Sequence, residues 1–362
     1  MSRRSITPVH LGRVEYEDGL ALQALFGRAR TQGLVGDSLL LLEHPPVITL
    51  GRAAKPANIV LSAEQRAALG VQIFETNRGG DVTYHGPGQL VGYPVFDLTP
   101  DRKDVRRYVR DVEESLLRAL AGFGISAGRI PKWTGVWVGD EGPDARKIAA
   151  IGVHLSRWQT SHGFALNVNT DLSHFDWIIP CGIREAGVTS MARELGGEIP
   201  LGQVEDALVR TFAEVFEADL APSAAPMQTV SVSVVREREG QREVLLLQRT
   251  PERGGFWQTV TGRVEPGERP GDTARRELRE ETGLTLDVVP LDYEHSFALG
   301  ETLPPQLVRE TAFFARWPEG SAVWPGEEHQ AHAWLPLEEA LTRLPFKGLQ
   351  EGARRAVERS AR

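Results

Sequence analysis

The stretch Leu220-Ala-Pro-Ser-Ala-Ala-Pro226 constrains the fold more than any other. It carries no charge and interrupts the hydrophobic pattern. Before it, Val204, Leu208, Phe212, Val215 and Phe216 recur at the spacing of one helix face. After it, TVSVSVV from Thr229 to Val235 alternates with period two, which reads as a strand. A chain that changes period across such a joint is expected to fold as two bodies. We place a first domain at residues 1–220, a linker at 221–227 and a second domain at 228–362. A length of 362 residues fits two domains of about 100–200 residues each. The net charge is −8, with 23 basic against 27 acidic residues up to position 221 and 18 against 22 beyond it. Neither half is a basic nucleic-acid clamp. No apolar run reaches the ~18 residues that span a bilayer. The opening MSRRSITPVHLGRVEYEDG lacks the apolar centre of a signal peptide. The expectation is a cytoplasmic protein with no membrane and no nucleic-acid partner. The one cysteine excludes an intramolecular disulfide framework and a multi-cysteine metal site.

In the first half, Ser38–Gly51 reads as a buried strand stopped by its Pro-Pro turn. Asp104–Gly124 reads as a helix, with Val105, Tyr108, Val109, Val112, Leu116, Leu117 and Leu120 at helical spacing. Three strands are expected at Gly135–Gly139, Lys147–Leu155 and His162–Asn169. The turn residues Asp140-Glu-Gly-Pro143 make the first two a hairpin. An antiparallel sheet covered by helices is the expected architecture. The second half orders as strands at Thr229–Val235 and Glu243–Arg249, then a helix near Asp272–Thr282. Strands near Tyr293–Ala298 and Thr311–Trp317 and a C-terminal helical region follow.

Two segments of the first half are candidates for chemistry. Arg78–Leu98 holds five glycines around Tyr84 and His85. Glycine lets a backbone approach a ligand closely. The cluster is longer than a hairpin needs, so it reads as a binding loop. IIPCGI, Ile178–Ile183, holds Cys181 between Pro180 and Gly182. A nucleophilic cysteine needs a cation or a helix N-terminus to lower its pKa. Lys147, His85, His154 and His162 are the candidate cations, and spacing alone does not choose between them. A buried structural cysteine is the competing reading.

In this order, RGGDVTYHGPGQ, KIAAIG, HGFALNVNTDL and PCGI resemble the lipoyl(octanoyl) transferases of lipoate biosynthesis. The resemblance covers roughly residues 8–220. It implies a fold like the catalytic domains of biotin and lipoate protein ligases, a mixed sheet with helices. It also implies transfer of octanoyl from octanoyl-acyl carrier protein to a lysine of the lipoyl domains of ketoacid dehydrogenases and glycine cleavage proteins. Cys181 would then be the acyl-accepting nucleophile, and Lys147 would depress its pKa and shuttle the proton. Arg78, Gly79, Gly80, Asp81, Val82, Thr83, Tyr84 and His85 would line the acyl site. Ala150, Ile151 and Gly152, with Gly163, Phe164 and Ala165, would offer backbone contacts to the acyl group. Amide formation from a thioester is downhill, so the transfer is expected to need no cofactor. An ATP-dependent lipoate–protein ligase is the alternative, and it would not need Cys181.

The second half carries GRVEPGERPGDTARRELREETGL, Gly262–Leu284. Glu277, Glu280 and Glu281 stand at i, i+3 and i+4, on one helix face. Three such carboxylates repel unless a cation neutralises them, and hard oxygen donors suit Mg²⁺ or Mn²⁺. A solvated helix of Arg–Glu pairs is the competing reading. Gly262, Glu268, Arg276 and Gly283 in register with the carboxylates identify the segment as the Nudix box. The resemblance implies an α/β/α sandwich, so the whole chain is α+β to α/β. It also implies hydrolysis of a nucleoside-diphosphate-like phosphoanhydride. The flanks are similar to the branch with dihydroneopterin triphosphate pyrophosphatases, so a nucleotide or pterin triphosphate-like small molecule is the expected substrate. Glu328 matches the distal acidic position that joins the metal site or acts as base, with Glu327 competing. Phe256 and Trp257 could stack on a base or pack in the core. A non-catalytic nucleotide-sensing module is the alternative.

Overall fold

The computed structural model describes residues 4–131, 133–179 and 186–361. Packing divides the chain into two units, Met1–Ala225 with Ala298–Gln306, and Pro226–Phe297 with Leu307–Arg362.

The first unit begins with β1 (Arg4–Arg13), α1 (Tyr16–Thr31), β2 (Asp37–Glu43) and β3 (Val47–Leu50). Then come α2 (Ala63–Leu69), β4 (Gln72–Glu75), β5 (Val82–His85), β6 (Gln89–Val95) and α3 (Val105–Gly122). β7 (Gly128–Ile130), β8 (Trp133–Val138), β9 (Arg146–Ser156), β10 (Gln159–Asn167) and β11 (Gly187–Val188) follow. α4 (Met191–Leu195), α5 (Leu201–Val215) and β12 (Ala218–Leu220) close the unit. The main sheet runs β12-β1-β2-β6-β10-β9-β8-β7, with β11 paired to β9, and a small sheet runs β4-β3-β5.

Two expectations need correction. The sheet is mixed, as the ligase-like resemblance implies, and not antiparallel as the strand pattern alone suggested, because β1 pairs parallel with both β2 and β12. Helix α1 supplies the crossover that a parallel neighbour requires. Its sequence gave little signal, since it buries Gln23 and Gly19 beside Leu22, Leu25 and Phe26. Ser38–Gly51 is likewise two strands rather than one. The turn at Pro45-Pro46 sends β3 into the small sheet, where it pairs with β4 and β5. The β8–β9 hairpin is present and antiparallel.

Helices α3 and α5 cover one face of the main sheet. Asp104 caps α3, accepting from the amides of Arg106 and Arg107. Val112, Leu116 and Leu120 meet Leu39, Leu41, Leu90, Leu166 and Phe212 in the core. Phe216 ends α5 and packs its ring edge against Phe96, 5.1 Å between centroids. At the start of β2, buried Asp37 pairs with Arg4 and, at 2.8 Å, with Arg30.

The second unit contains β13 (Met227–Arg238), β14 (Gln241–Arg249), β15 (Trp257–Gln258), β16 (Val260–Arg263) and α6 (Pro270–Thr282). It continues with β17 (Val289–Ala298), β18 (Leu307–Arg316), β19 (His329–Pro336), α7 (Leu337–Arg343) and α8 (Lys347–Ser360). β13 starts at Met227, one residue inside the expected linker. The sheet order is β15-β14-β13-β18-β17, with β16 on β13 and β19 on β14. Strand alternation sorts the two faces. Leu245 and Leu247 join Val230, Val232, Ala274 and Leu278 under α6. Val244 and Leu246 join Leu341, Leu349 and Ala353 under α7 and α8. The unit is therefore an α/β/α sandwich. No helix among the described residues is long and apolar enough to cross a membrane.

Removing Asp37 would take the buried partner from two guanidiniums, leaving Arg4 to Asp101 at 2.6 Å and Arg30 to Asp97 at 3.5 Å. Asp37→Ala is expected to cost about 3 kcal/mol. Hydrogen exchange on the amides of β1 and β2 reads this as a lowered opening free energy.

Candidate acyl and phosphoanhydride sites

A cavity of about 710 Å³ opens in the first unit. Its wall includes Arg78, Gly79, Gly80, Asp81, Val82, Thr83, His85, Lys147, Ala150, Ile151, Gly152, Gly163, Phe164 and Ala165. The four motifs are far apart in sequence, and three of them meet here. Tyr84 is the exception. On β5 the side chains alternate, so Thr83 and His85 reach the cavity while Tyr84 turns into an apolar cluster with Ile48 and Phe175. Its hydroxyl meets His174 Nδ1 at 2.7 Å. Cys181 lies outside the described residues.

Lys147 is placed by a bulge. Val136 pairs with Ala149 but Trp137 pairs with Lys147, so β9 carries one extra residue there. Such a bulge re-aims a side chain. Lys147 is buried, and its Nζ stands 4.6 Å from the centroid of the Trp137 ring. Gly135 leaves the room for this. A Cβ there would come within 2.6 Å of the Ala149 carbonyl, and its φ of 123° suits glycine.

Buried polar side chains support the wall. Arg78 donates to the Thr49 carbonyl at 2.7 Å and to Thr49 Oγ1 at 2.9 Å, and Nη1 donates to the Gly79 carbonyl at 3.0 Å. His85 Nδ1–H donates to Gln89 Oε1 at 2.8 Å. This assignment follows from Gln89 Nε2, which donates to the Tyr84 carbonyl and to Asn167 Oδ1. Asn167 in turn donates to the Thr189 carbonyl at 2.9 Å, and the Thr189 amide donates to the Lys147 carbonyl at 3.0 Å. His44 Nδ1–H donates to the Val14 carbonyl, leaving Nε2 to accept from the Tyr93 hydroxyl, both at 2.7 Å.

Burial lowers the histidine pKa values to about 4 for His44, about 3 for His85 and about 4 for His162. The nearby Arg78 charge adds to this for His85 and His162. All three are neutral at pH 7. Of the candidate cations, His85 and His162 are thus ruled out on this wall, which leaves Lys147. His154 is not part of it.

Tyr16, Gln89, Tyr93 and Asn167 also line the cavity and were missed in the sequence. They come from three separate elements, α1, β6 and β10, and only strand alternation in QLVGYPV hints at the two on β6.

In the second unit, Arg276 organises the helix face. It clamps both oxygens of Glu268 at 2.9 and 3.0 Å, and Nη1 donates to Glu277 Oε1 at 2.7 Å. These hydrogen bonds pull the Glu268 pKa down to about 2. Gly262 leaves room for Glu277, because a Cβ there would overlap the Glu277 carboxylate and push it from its place. Gly283 ends α6 in the left-handed conformation, φ 81°.

The three helix carboxylates are not equivalent. Glu280 is half exposed. Glu281 is buried, its Oε2 has no hydrogen-bond partner, and His329 Nε2 stands 4.0 Å away. Burial, then the Glu277 charge, raises the Glu281 pKa well above the usual carboxylate range. Among the described residues, no three Asp, Glu, His or Cys side chains are drawn together as a metal-holding group. The hard oxygen donors of Glu277 and Glu281, one of them unsatisfied, nevertheless fit a divalent cation. Glu328 instead pairs with Arg253 at 2.9 Å and Arg249 at 3.7 Å, while Glu327 is exposed. Trp257 packs on the core beneath Arg343, and Phe256 meets Phe346 edge-on at 5.4 Å.

The lipoyl protein ligase A/B catalytic domain family matches residues 15–213, and the NUDIX domain family matches residues 227–359. An octanoyltransferase of Myxococcus xanthus is 63% identical over 98% of this chain and 99% of its own length. The chain belongs to the octanoyltransferase family. It is an acyltransferase that also carries a Nudix hydrolase domain. The octanoyltransferase of Solibacter usitatus is 53% identical over 59% of this chain and 94% of its own. Among solved structures, a bipartite lipoate protein ligase from Thermoplasma acidophilum aligns at TM-score 0.48 and 18% identity, over 62% of this chain and 88% of that one.

Burying Glu281 makes a pH-dependent demand on the chain without metal. Its folded pKa is raised, so its stabilising contribution holds below the unfolded carboxylate pKa and is lost as pH rises through the folded value. Glu281→Gln removes that loss. In chelator, the substitution is expected to raise the unfolding temperature at pH 7–8. The gain should vanish as pH falls towards about 4.5, the unfolded value.

Proposed function

We propose that the first unit transfers octanoyl from octanoyl-acyl carrier protein to a lysine of lipoyl domains, through a thioester on Cys181. Lys147 on the wall of the cavity lined by the glycine-rich loop is the observation that carries this reading. The first step forms a C–S bond between the Cys181 thiolate and the octanoyl carbonyl and breaks the carrier's C–S bond, and the carrier sulfur leaves as a thiol with the proton of the Lys147 ammonium, which becomes neutral. In the second, the lipoyl-domain amine attacks, a C–N bond forms and the Cys181 thiolate is released. Neutral Lys147 takes the proton that the amine sheds. The backbone around Ala150–Gly152 and Gly163–Ala165 bears on the acyl group, and Arg78–His85 shape the chamber. Burying the seven carbons beyond the carbonyl contributes roughly 5 kcal/mol, at ~0.8 kcal/mol per carbon. No cofactor enters either step.

For the second unit, the reading is hydrolysis of a phosphoanhydride in a nucleotide or pterin triphosphate-like molecule. Glu277 and Glu281, with Glu280 and Glu328, would hold Mg²⁺ or Mn²⁺. A divalent cation supplies the electrophilic charge such a reaction draws on. Within the chain, Arg276 fixes Glu277, and burial keeps water from Glu281.

Transfer of octanoyl from the carrier to a lipoyl domain is expected without ATP. Lys147→Ala should lower kcat by about 10²–10⁴, and Cys181→Ala should remove turnover. ATP-dependent transfer from free octanoate by Cys181→Ala would identify a ligase instead.

A further inference from the structure

The Nudix reading places carboxylates on one side of the second unit's site and leaves the opposite side unassigned. Two arginines stand there. Arg249 ends β14, and its Nε donates to Gln258 Oε1 at 3.0 Å, which fixes its guanidinium plane. Arg253 sits on the short turn Pro251–Arg253, followed by Gly254 and Gly255, both left-handed at φ 99° and 67°. Both guanidiniums converge on Glu328. Arg253 Nη1 lies 2.9 Å from Oε1, and Arg249 Nη1 lies 3.7 Å from Oε2. One carboxylate therefore spans two guanidiniums with one oxygen for each. Two positive charges meet a single negative one, so a charge is left over. The backbone of Glu328 is tied down as well, since its carbonyl accepts from the Thr250 amide at 3.1 Å.

That geometry has a chemical reading. A guanidinium pair that receives two oxygens of a carboxylate also receives two oxygens of a phosphate, and the surplus charge favours the more anionic guest. The Glu328 pair is cheap to break, because Glu328 is 44% exposed and Arg253 50% exposed. The charge of Glu328 is felt by both Glu277 and Glu281. Gln258 links the arginines to the carboxylates: its Oε1 accepts from Arg249 Nε, and its Nε2 lies 3.3 Å from His329 Nε2, which stands 4.0 Å from Glu281 Oε2.

We propose that Arg249 and Arg253 form the diphosphate-receiving pair of the second unit, and that the Glu328 carboxylate occupies this pair until a diphosphate displaces it. The proposal rests on the Nudix reading and names the residues that take the anion. Displacement returns Glu328 to the side of Glu277 and Glu281, so one substitution of partners loads the anion and frees the acid.

The test is calorimetric binding of inorganic pyrophosphate to the full chain in chelator, where no hydrolysis occurs. Glu328→Gln is expected to bind roughly two- to fivefold more tightly than wild type, the worth of an exposed ion pair. Arg253→Gln is expected to bind about tenfold more weakly or worse, the worth of a charged hydrogen bond. Both side chains are half exposed, so folding should not be at issue, and Arg249→Gln gives a second reading of the pair. Unchanged affinity in Arg253→Gln and Arg249→Gln overturns the site. Affinity in Glu328→Gln equal to or below wild type overturns the displacement. Absence of binding in every form overturns both. A chain that binds in the expected order yet hydrolyses no phosphoanhydride with Mg²⁺ or Mn²⁺ would contradict the hydrolase reading alone.

Discussion

A run of buried hydrogen bonds joins the Arg78 guanidinium to Thr49, then His85, Gln89, Asn167 and the Thr189 carbonyl. Its weakest link is Thr49 to His85, at 3.5 Å. The direction of the run is set from both ends. Arginine only donates and a carbonyl only accepts, so the Gln89 amide and the His85 tautomer have one consistent orientation. The run crosses β3, β5, β6 and β10 and ends on the backbone beside Lys147. A polar cavity wall could otherwise collapse or fill with water. Here each broken link would strand a buried donor or acceptor at a cost of about 1–3 kcal/mol. Keeping the histidines neutral completes the arrangement, because a second buried charge beside Arg78 would repel the first.

The second unit follows the opposite rule. Its site keeps groups that are not mutually satisfied. Glu281 is buried with an unpaired oxygen, Glu277 repels it, and Glu328 is held away by two arginines. Arg276 and Glu268 are the structural exception, a bidentate pair that anchors the helix to the preceding loop. Unsatisfied carboxylates destabilise an empty fold, and they persist where a ligand completes them. One chain thus contains a site whose polar groups satisfy one another and a site where a buried carboxylate oxygen has no hydrogen-bond partner.

Much of this was legible in the sequence where the determinants are local. The Nudix helix carries its cap, its clamp and its carboxylates within Gly262–Leu284, so register alone singled out Gly262, Glu268, Arg276 and Gly283. The β8–β9 hairpin was legible through Asp140–Pro143. The first cavity was legible only through ordered motifs, because its wall comes from β3, β5, β6, β9 and β10. Tyr84 was misplaced because a motif does not say which face of a strand each member takes. Tyr16 and His44 were invisible because their partners are 28 or more positions away in sequence. The parallel edge of the sheet was hidden by α1, which buries glutamine and glycine and so blurs its apolar stripe. The Arg249–Glu328–Arg253 contact joins two segments of the second unit that sequence reasoning had not brought together.

The central claim is that acyl transfer in the first unit runs through the sulfur of residue 181, with Lys147 on the wall of the acyl chamber. Peptide mapping after brief exposure of the chain to octanoyl-acyl carrier protein alone tests it most directly. The account predicts one octanoyl group, labile to hydroxylamine as a thioester, on the peptide that contains Cys181. An octanoyl amide on Lys147, or an unmodified Cys181 in a preparation that still transfers octanoyl, would contradict it.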